Sequence, residues 1–109
     1  MDPSLFDRMR TARGALHTAS LEGGIKPVLL VPASSNRGSL TFFGAKIQYE
    51  LGLTEAGVTT DTGIIVPALS TTPVVLTLQM HGDLVQQCFY VHATTPVQVT
   101  WAETIFQGG

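Results

Sequence analysis

Residues 73–105, PVVLTLQMHGDLVQQCFYVHATTPVQVTWAETI, decide the fold. Apolar side chains recur there at every second position, as in Val97, Val99 and Trp101. Because side chains along a strand point alternately to its two faces, this period predicts strands that are buried on one face. The stretch therefore indicates β-structure rather than helix.

Turn signals divide the stretch into three runs. His81–Asp83 contains Gly82, which can take a positive φ, and Thr94–Pro96 ends at a proline that cannot continue a central strand. We therefore predict an antiparallel meander of three consecutive strands, with His81–Asp83 as a hairpin turn.

Strand signals continue upstream to Lys26. The apolar run between Pro27 and Pro32 is typical of an edge strand, and further short runs bring the total to about six to eight strands. Residues 27–109 are thus predicted to form an all-β domain, an antiparallel β-sandwich or small barrel, with a jelly-roll order as one arrangement that fits. The expected core residues are Ile47, Leu76, Leu78, Phe89, Val91, Val99 and Trp101.

Residues 1–26 differ from the rest and predict an N-terminal arm with a short helix. Asp2 is a candidate N-cap with Pro3 at the first helical position, and Gly23-Gly24 forms a flexible joint. An isolated helix this short is marginal in water, so we expect the arm, residues 1 to about 24, to order against a partner and to be dispensable for folding of the β-domain. The expected interface residues of the arm are Leu5, Phe6, Arg8, Met9, Arg10 and Arg13.

The composition indicates a molecule that works in contact with others. The chain has 109 residues and a net charge of −2, and only 13 % of its residues are charged, against a typical value of about 25 %. Much of the surface must then be uncharged or covered by partners.

Cysteine usage and hydropathy give expectations about the compartment. A single cysteine, Cys88, excludes an internal disulfide and favours a reducing cytoplasm as the place of synthesis. The first residues lack a secretory signal, and no apolar stretch approaches the ~20 residues that cross a bilayer. We expect no membrane association.

The best enzymatic constellation is Cys88 with His81, His92 and Asp83. A cysteine nucleophile needs a histidine within hydrogen-bond reach, whereas four residues of strand separate Cys88 from His92 by roughly 13 Å. We therefore expect no catalysis.

Metal, nucleotide and nucleic-acid sites lack sequence support. His17, His81 and His92 do not have the close spacing of a zinc site, and Asp61 has no second carboxylate nearby. Phosphate-binding glycine motifs are absent, so no cofactor is expected. The arginines of the arm are diluted by Asp2 and Asp7, which makes contact with nucleic acid an unfavoured interpretation.

The aromatic residues are expected mainly in the core. Trp101 alternates with valines on an apolar face, so packing is favoured over ligand stacking. Phe42 and Phe43 are adjacent and must point to opposite faces of a strand. One of the two rings therefore lies outside the main core, which favours an interface on the face that carries it. A carbohydrate-binding alternative would use Trp101, Tyr49 or Tyr90 as a stacking surface.

The arm, its Gly-Gly joint and a β-domain rich in Thr, Val and Gly together resemble small virion proteins of tailed bacteriophages, in particular capsid decoration (cement) proteins. The likeness is one of general composition and covers about 80 residues. It is carried mainly by Pro73–Leu78 and Val97–Ile105. No motif is shared, so no functional residue is transferred.

This resemblance implies a non-enzymatic structural protein located in the virion. Decoration proteins bind the outside of a capsid, often as dimers or trimers, and bridge neighbouring subunits of the major capsid protein. The resemblance therefore implies a homo-oligomer, a dimer or trimer, that is made in the host cytoplasm. Another virion protein is an alternative partner, in which case the chain would be a tail or head–tail joining component.

Overall fold

The structure, a computed structural model, describes residues 12–24, 26–58 and 63–106. Within these ranges the chain forms eight strands, with a helical connection before the seventh. The elements are β1 Ala12–Leu21, β2 Val28–Val31, β3 Arg37–Phe42, β4 Tyr49–Gly52, β5 Ile64–Val66, β6 Val74–Thr77, α1 Leu78–His81, a 3₁₀ helix Gly82–Gln86, β7 Phe89–His92 and β8 Val97–Phe106.

The strands form two antiparallel sheets, sheet A in the order β1-β8-β3-β6 and sheet B in the order β2-β7-β4-β5. The pairs β1·β8, β2·β7, β3·β6 and β4·β5 join the first four strands to the last four in nested order. A long hairpin rolled onto itself gives this pattern, which is the jelly-roll arrangement. The predicted all-β sandwich is therefore confirmed, and so is β2 as an edge strand.

The core lies between the inner faces of the two sheets. The Phe42 ring lies 5.8 Å from the Phe89 ring of the other sheet and 6.5 Å from the Trp101 ring, measured between centroids. Of the predicted core residues, Ile47 and Leu78 are half-buried against this cluster, and the others are buried: Leu76, Phe89, Val91, Val99 and Trp101.

The structure corrects the extent of the N-terminal arm. Residues 12–21, which the sequence assigns to the arm, form β1 and pair with β8 along an unbroken register from Ala12–Phe106 to Leu21–Val97. This part of the chain belongs to the sandwich. The predicted helix, which begins at Asp2, falls almost wholly on residues 1–11, outside the described residues.

The predicted meander is also wrong. β6 and β8 lie in sheet A, whereas β7 lies in sheet B, so no two of these consecutive strands pair with each other. The predicted hairpin turn His81–Asp83 is instead the junction between α1 and the 3₁₀ helix. This helical connection carries the chain from one sheet to the other.

The Gly-Gly joint has a defined place in the fold. Gly23 and Gly24 have φ values of 80° and 124°, which only glycine adopts readily, and the Gly24 N–H donates to the Ala93 carbonyl at 3.0 Å. A side chain at Gly23 would collide with the backbone of Thr95. The joint thus fixes the crossing from β1 in sheet A to β2 in sheet B.

Candidate functional site

Charge is scarce on the surface of the sandwich. Of the charged residues in the described part of the chain, Arg37, Glu50 and Glu103 are buried. The others are exposed and lie at the start of β1 or outside the strands: Arg13, Glu22, Lys26, Lys46, Glu55 and Asp83. Large parts of the sheet surfaces are therefore free of charge.

The outer face of sheet A carries no charged side chain along its four strands. Its inward positions are set by buried residues such as Leu40, Leu76 and Trp101, so the alternate residues point away from the core. We call these residues the uncharged face: Gly14, Leu16, Thr18 and Ser20 of β1, Gln98, Thr100, Ala102 and Thr104 of β8, Ser39 and Thr41 of β3, Val75 and Thr77 of β6, and Phe43 directly after β3.

One row of the uncharged face crosses all four strands. The registers place Leu16 beside Ala102, Ala102 beside Thr41, and Thr41 beside Val75. Leu16 at one end is 70 % exposed, and Val75 at the other end is 46 % exposed. Both ends of the row thus offer apolar surface for burial against a partner.

The centre of the uncharged face is a shallow hollow. Gly14 has no side chain and Ala102 carries only a methyl group, which leaves space between the larger side chains of Leu16, Thr41 and Thr104. A protruding apolar or small polar side chain of a partner fits such a hollow better than a bulky charged one.

Several hydroxyls of the uncharged face bond to each other across strands. The Ser39 Oγ donates to the Thr104 Oγ1 at 2.7 Å, and the Thr18 and Thr100 hydroxyl oxygens are 3.4 Å apart. A polar group that already has a partner loses less when water is removed. These pairs therefore lower the cost of covering the face.

A buried charged cluster lies at the inner side of the same sheet. The Arg37 guanidinium donates to the carbonyl oxygens of Pro32, Val85 and Gln87 at 2.6, 3.2 and 3.2 Å. Its Nε lies 3.7 Å from a Glu103 carboxylate oxygen, which is too long for a hydrogen bond and leaves a charge attraction. Burial lowers the pKa of Arg37, and the Glu103 charge offsets part of that effect.

His17 of β1 joins this cluster from the sheet edge. Its Nε2 lies 3.1 Å from the other Glu103 oxygen without hydrogen-bond alignment, and its ring stacks on Trp101 with centroids 4.1 Å apart. The contact ties β1 to β8 through side chains as well as through the backbone.

A buried histidine–carboxylate contact links β4 and β7 in sheet B. The His92 Nδ1 lies 2.7 Å from a Glu50 carboxylate oxygen, and the Gln48 amide donates to the other oxygen at 2.8 Å. Tyr49 and Leu51 face the core, so Glu50 between them lies on the outer side of the sheet. Both partners are almost fully buried, and their contacts account for a structural role.

The residues weighed for catalysis have contacts elsewhere. The Cys88 Sγ is 3.8 Å from the Leu53 carbonyl oxygen, and the His81 Nδ1 accepts from the Thr77 N–H at 3.0 Å. His92 is held by Glu50, and Asp83 is exposed in the 3₁₀ helix. The described residues contain no group of three or more His, Cys, Asp or Glu side chains placed to hold a metal ion.

Among the predicted interface residues of the arm, the structure describes Arg13 alone. It lies near the start of β1, where its side chain is exposed and its Cα is paired with Ile105. The other five lie outside the described residues: Leu5, Phe6, Arg8, Met9 and Arg10.

The uncharged face was not found from the sequence, although its signal is present in β8. Gln98, Thr100 and Thr104 occupy the outward positions between apolar residues, and all three are uncharged. The same parity places Glu103 on the inward side and could have indicated a buried charge. β1 was missed, so its outward residues could not be added to those of β8.

Comparison of the chain with protein-family models, with curated proteins and with solved structures finds no match. In the described ranges, no helix has the length and apolar character needed to span a bilayer.

Proposed function

We propose that this protein is a non-enzymatic structural component of a virion, which decorates a phage capsid and stabilises it by bridging neighbouring capsid subunits. The single observation that carries the proposal is the uncharged face of sheet A. A partner can cover this four-stranded surface without removing any charge from water, and burying an unpaired charge is costly.

The chemistry of the face suits a contact that is repeated many times. Leu16 and Val75 supply apolar area, and the Ser39–Thr104 and Thr18–Thr100 hydroxyl pairs limit the desolvation cost. Each contact of this kind is modest, but symmetry and linkage multiply modest contacts into a stable lattice. The proposed partner is the major capsid protein, or another virion protein.

The carbohydrate-binding alternative is less well supported. Trp101 is 6 % exposed and Tyr49 is fully buried, so neither ring can serve as a stacking platform in this conformation. Tyr90 is half-buried on β7. A position in the tail or the head–tail joint would use the same uncharged face, and fractionation of particles separates it from a position on the capsid.

The test is to purify particles of the virus that encodes the chain, to separate heads from tails, and to detect the protein with an antibody. We expect it on the heads, in a copy number that scales with the capsid subunits. Particles produced with Thr41→Lys, which places a charge at the centre of the uncharged face, should carry at least tenfold less of it, equivalent to about 1.4 kcal/mol.

Thr94→Lys is the matched control, because Thr94 is exposed in the turn before β8 and lies outside the face. Both variants should show the thermal transition of the parent protein. Absence of the protein from all particles would contradict the virion proposal, and equal occupancy of the two lysine variants would contradict the role of the face.

A further inference from the structure

β1 is an edge strand with an unusually long free side. One side pairs with β8, and no strand in the described part of the chain lies on the other. Its ten residues exceed the usual strand length of about five or six, and its register with β8 is unbroken. An edge of this kind is a template for another strand.

The other three edges of the two sheets are blunted. β2 has four residues, an irregular register and a proline on each side, and β5 has three residues. β6 has four residues and runs directly into α1. Short strands, prolines and bulges are the devices that prevent edge pairing, and β1 has none of them.

The hydrogen-bond phase shows which residues face the free side of β1. The Phe43 N–H donates to the carbonyl of Thr100, which is the opposite residue in the β3·β8 register, so the backbone groups of Thr100 point to β3. In an antiparallel sheet this direction alternates from one residue to the next along a strand. The backbone N–H and C=O of Trp101 therefore point to β1, where Trp101 is paired with His17. The even-numbered residues of β1 therefore present their N–H and C=O groups to the free side.

These free groups are complementary to a second copy of themselves. Two antiparallel β1 strands satisfy each other when even-numbered residues oppose even-numbered residues. Centring the pair on Leu16 sets Gly14 opposite Thr18 and Ala12 opposite Ser20, and uses every free group from Ala12 to Ser20. Shifting one strand by two residues in one direction leaves fewer residues of β1 paired. Shifting it by two residues in the other direction sets His17 opposite His17, where two charges would meet if both rings were protonated.

The charges in β1 agree with the register centred on Leu16. Arg13 then lies opposite Ala19, and His17 lies opposite Ala15, so no like charges are opposed. Leu16, which is 70 % exposed in the single chain, meets Leu16 of the second copy. The pairing thus covers the most exposed apolar residue of the strand.

We propose that two copies of this chain associate through antiparallel pairing of β1 with β1, centred on Leu16. The two sheets A then form one sheet of eight strands. Opposite residues of an antiparallel pair point to the same side, so the two uncharged faces become one continuous surface. This inference deepens the proposed function, and the biological role of the dimer rests on that function, because a doubled face can bridge two capsid subunits.

The test combines the mass of the full chain in solution with cysteine cross-linking. Sedimentation equilibrium should show a dimer at micromolar concentration. In a Cys88→Ser background, Leu16→Cys should form a covalent dimer on mild oxidation, because opposite Cα atoms lie about 5.5 Å apart and a disulfide accepts this distance. Gly14→Cys and Thr18→Cys should cross-link only when they are mixed, since each lies about 13 Å along the strand from its own copy.

Two further variants separate the edge from the face. Thr18→Pro removes a donor from the free side while the β1·β8 hydrogen bonds remain, and should raise the dimer dissociation constant at least tenfold. Val75→Lys alters the far end of the uncharged face and should leave the dimer unchanged. Thermal unfolding of both variants verifies that they are folded.

A chain that stays monomeric at 100-fold higher concentration, or a dimer that cross-links through Thr18→Cys alone, would overturn the inference. So would a dimer that Val75→Lys breaks and Thr18→Pro does not. The proposed function fails separately: a β1-linked dimer that is absent from virus particles supports the edge pairing and contradicts the virion role.

Discussion

Arg37 joins three segments of the chain that are far apart in sequence. It lies in β3, and its guanidinium binds carbonyl oxygens after β2, in the 3₁₀ helix and after that helix. Because Glu103 lies beside it, removing the guanidinium leaves the Glu103 carboxylate without its arginine and three carbonyl oxygens without their donor. Arginine supplies the planar fork that lysine lacks, so the position is specific for arginine.

We expect Arg37→Met to lower the free energy of unfolding by about 3–5 kcal/mol, the usual cost of leaving a buried charge unpaired. Urea denaturation measures this change. The double variant Arg37→Met/Glu103→Leu should recover part of the loss, because the stranded carboxylate is gone. Lys46→Met, at an exposed position, should change the stability by less than about 0.5 kcal/mol. An Arg37→Met loss as small as that of the control would contradict the bridging role.

Tyr49 makes the stability sensitive to alkaline pH. Burial raises the pKa of its phenol, and the hydroxyl donates to the Phe43 carbonyl. In the unfolded chain a tyrosine loses its proton near pH 10, whereas the folded chain keeps it, so the folded state binds more protons above that pH. The contribution of Tyr49 is therefore complete below about pH 10 and is lost as the pH rises further.

Chemical denaturation between pH 9 and 11.5 should show this loss, with a slope of up to about 1.4 kcal/mol per pH unit from this one group. Tyr49→Phe should remove that component and cost about 1 kcal/mol at neutral pH through the lost hydrogen bond. Tyr90→Phe, on the outward side of β7, is the control and should keep the parent slope. Identical slopes in the parent and in Tyr49→Phe would refute the assignment.

At the scale of elements, β1 was hidden from sequence reasoning because its pattern is inverted. Its one large mid-strand apolar residue, Leu16, faces solvent, while the inward positions are filled by small or polar residues such as Ala15, His17 and Ala19. Tertiary pairing with β8 sets the strand, not local apolar periodicity. The start of α1 was missed for another reason: the Thr77 hydroxyl accepts from the Met80 N–H, and this N-cap ends β6 where the period of two continues.

The boundary at Ala12 changes what truncation should do. Deletion of residues 1–11 removes no described strand. We expect the thermal transition of this truncated protein to stay within about 5 °C of that of the parent, and such a shift corresponds to roughly 1 kcal/mol for a domain of this size. Deletion of residues 1–21 removes β1 and exposes the edge of β8 and the Trp101 ring, so it should abolish cooperative unfolding. Calorimetry distinguishes the two truncations, and equal stability would mean that β1 contributes little to the sandwich.

For the whole molecule, the sequence predicted the class of fold and much of the core but not the pairing of strands. Alternation identifies a strand and its buried face, as at Val97, Val99 and Trp101, yet it does not say which sheet the strand joins. That choice depends on connections such as the Gly23-Gly24 crossing, whose direction no local pattern encodes. The uncharged face exists only once β1, β8, β3 and β6 lie side by side, so the candidate site was beyond reach without the topology.

The proposed attachment has a salt dependence that follows from the absence of charge on the face. At 1 M salt the Debye length is about 3 Å, so contacts between charges weaken while apolar contacts do not. We expect the affinity of the protein for purified particles, measured from its occupancy, to change by no more than about threefold between 50 mM and 1 M NaCl. Attachment to nucleic acid through several arginines would instead weaken by orders of magnitude.

Variants of the arm distinguish apolar attachment from charged attachment. Leu5→Ala or Phe6→Ala should weaken attachment more than Arg10→Ala, because exposed ion pairs contribute under about 1 kcal/mol. Release of the protein by 1 M NaCl, together with a stronger effect of Arg10→Ala, would show that charge on the arm and not the uncharged face holds it in place.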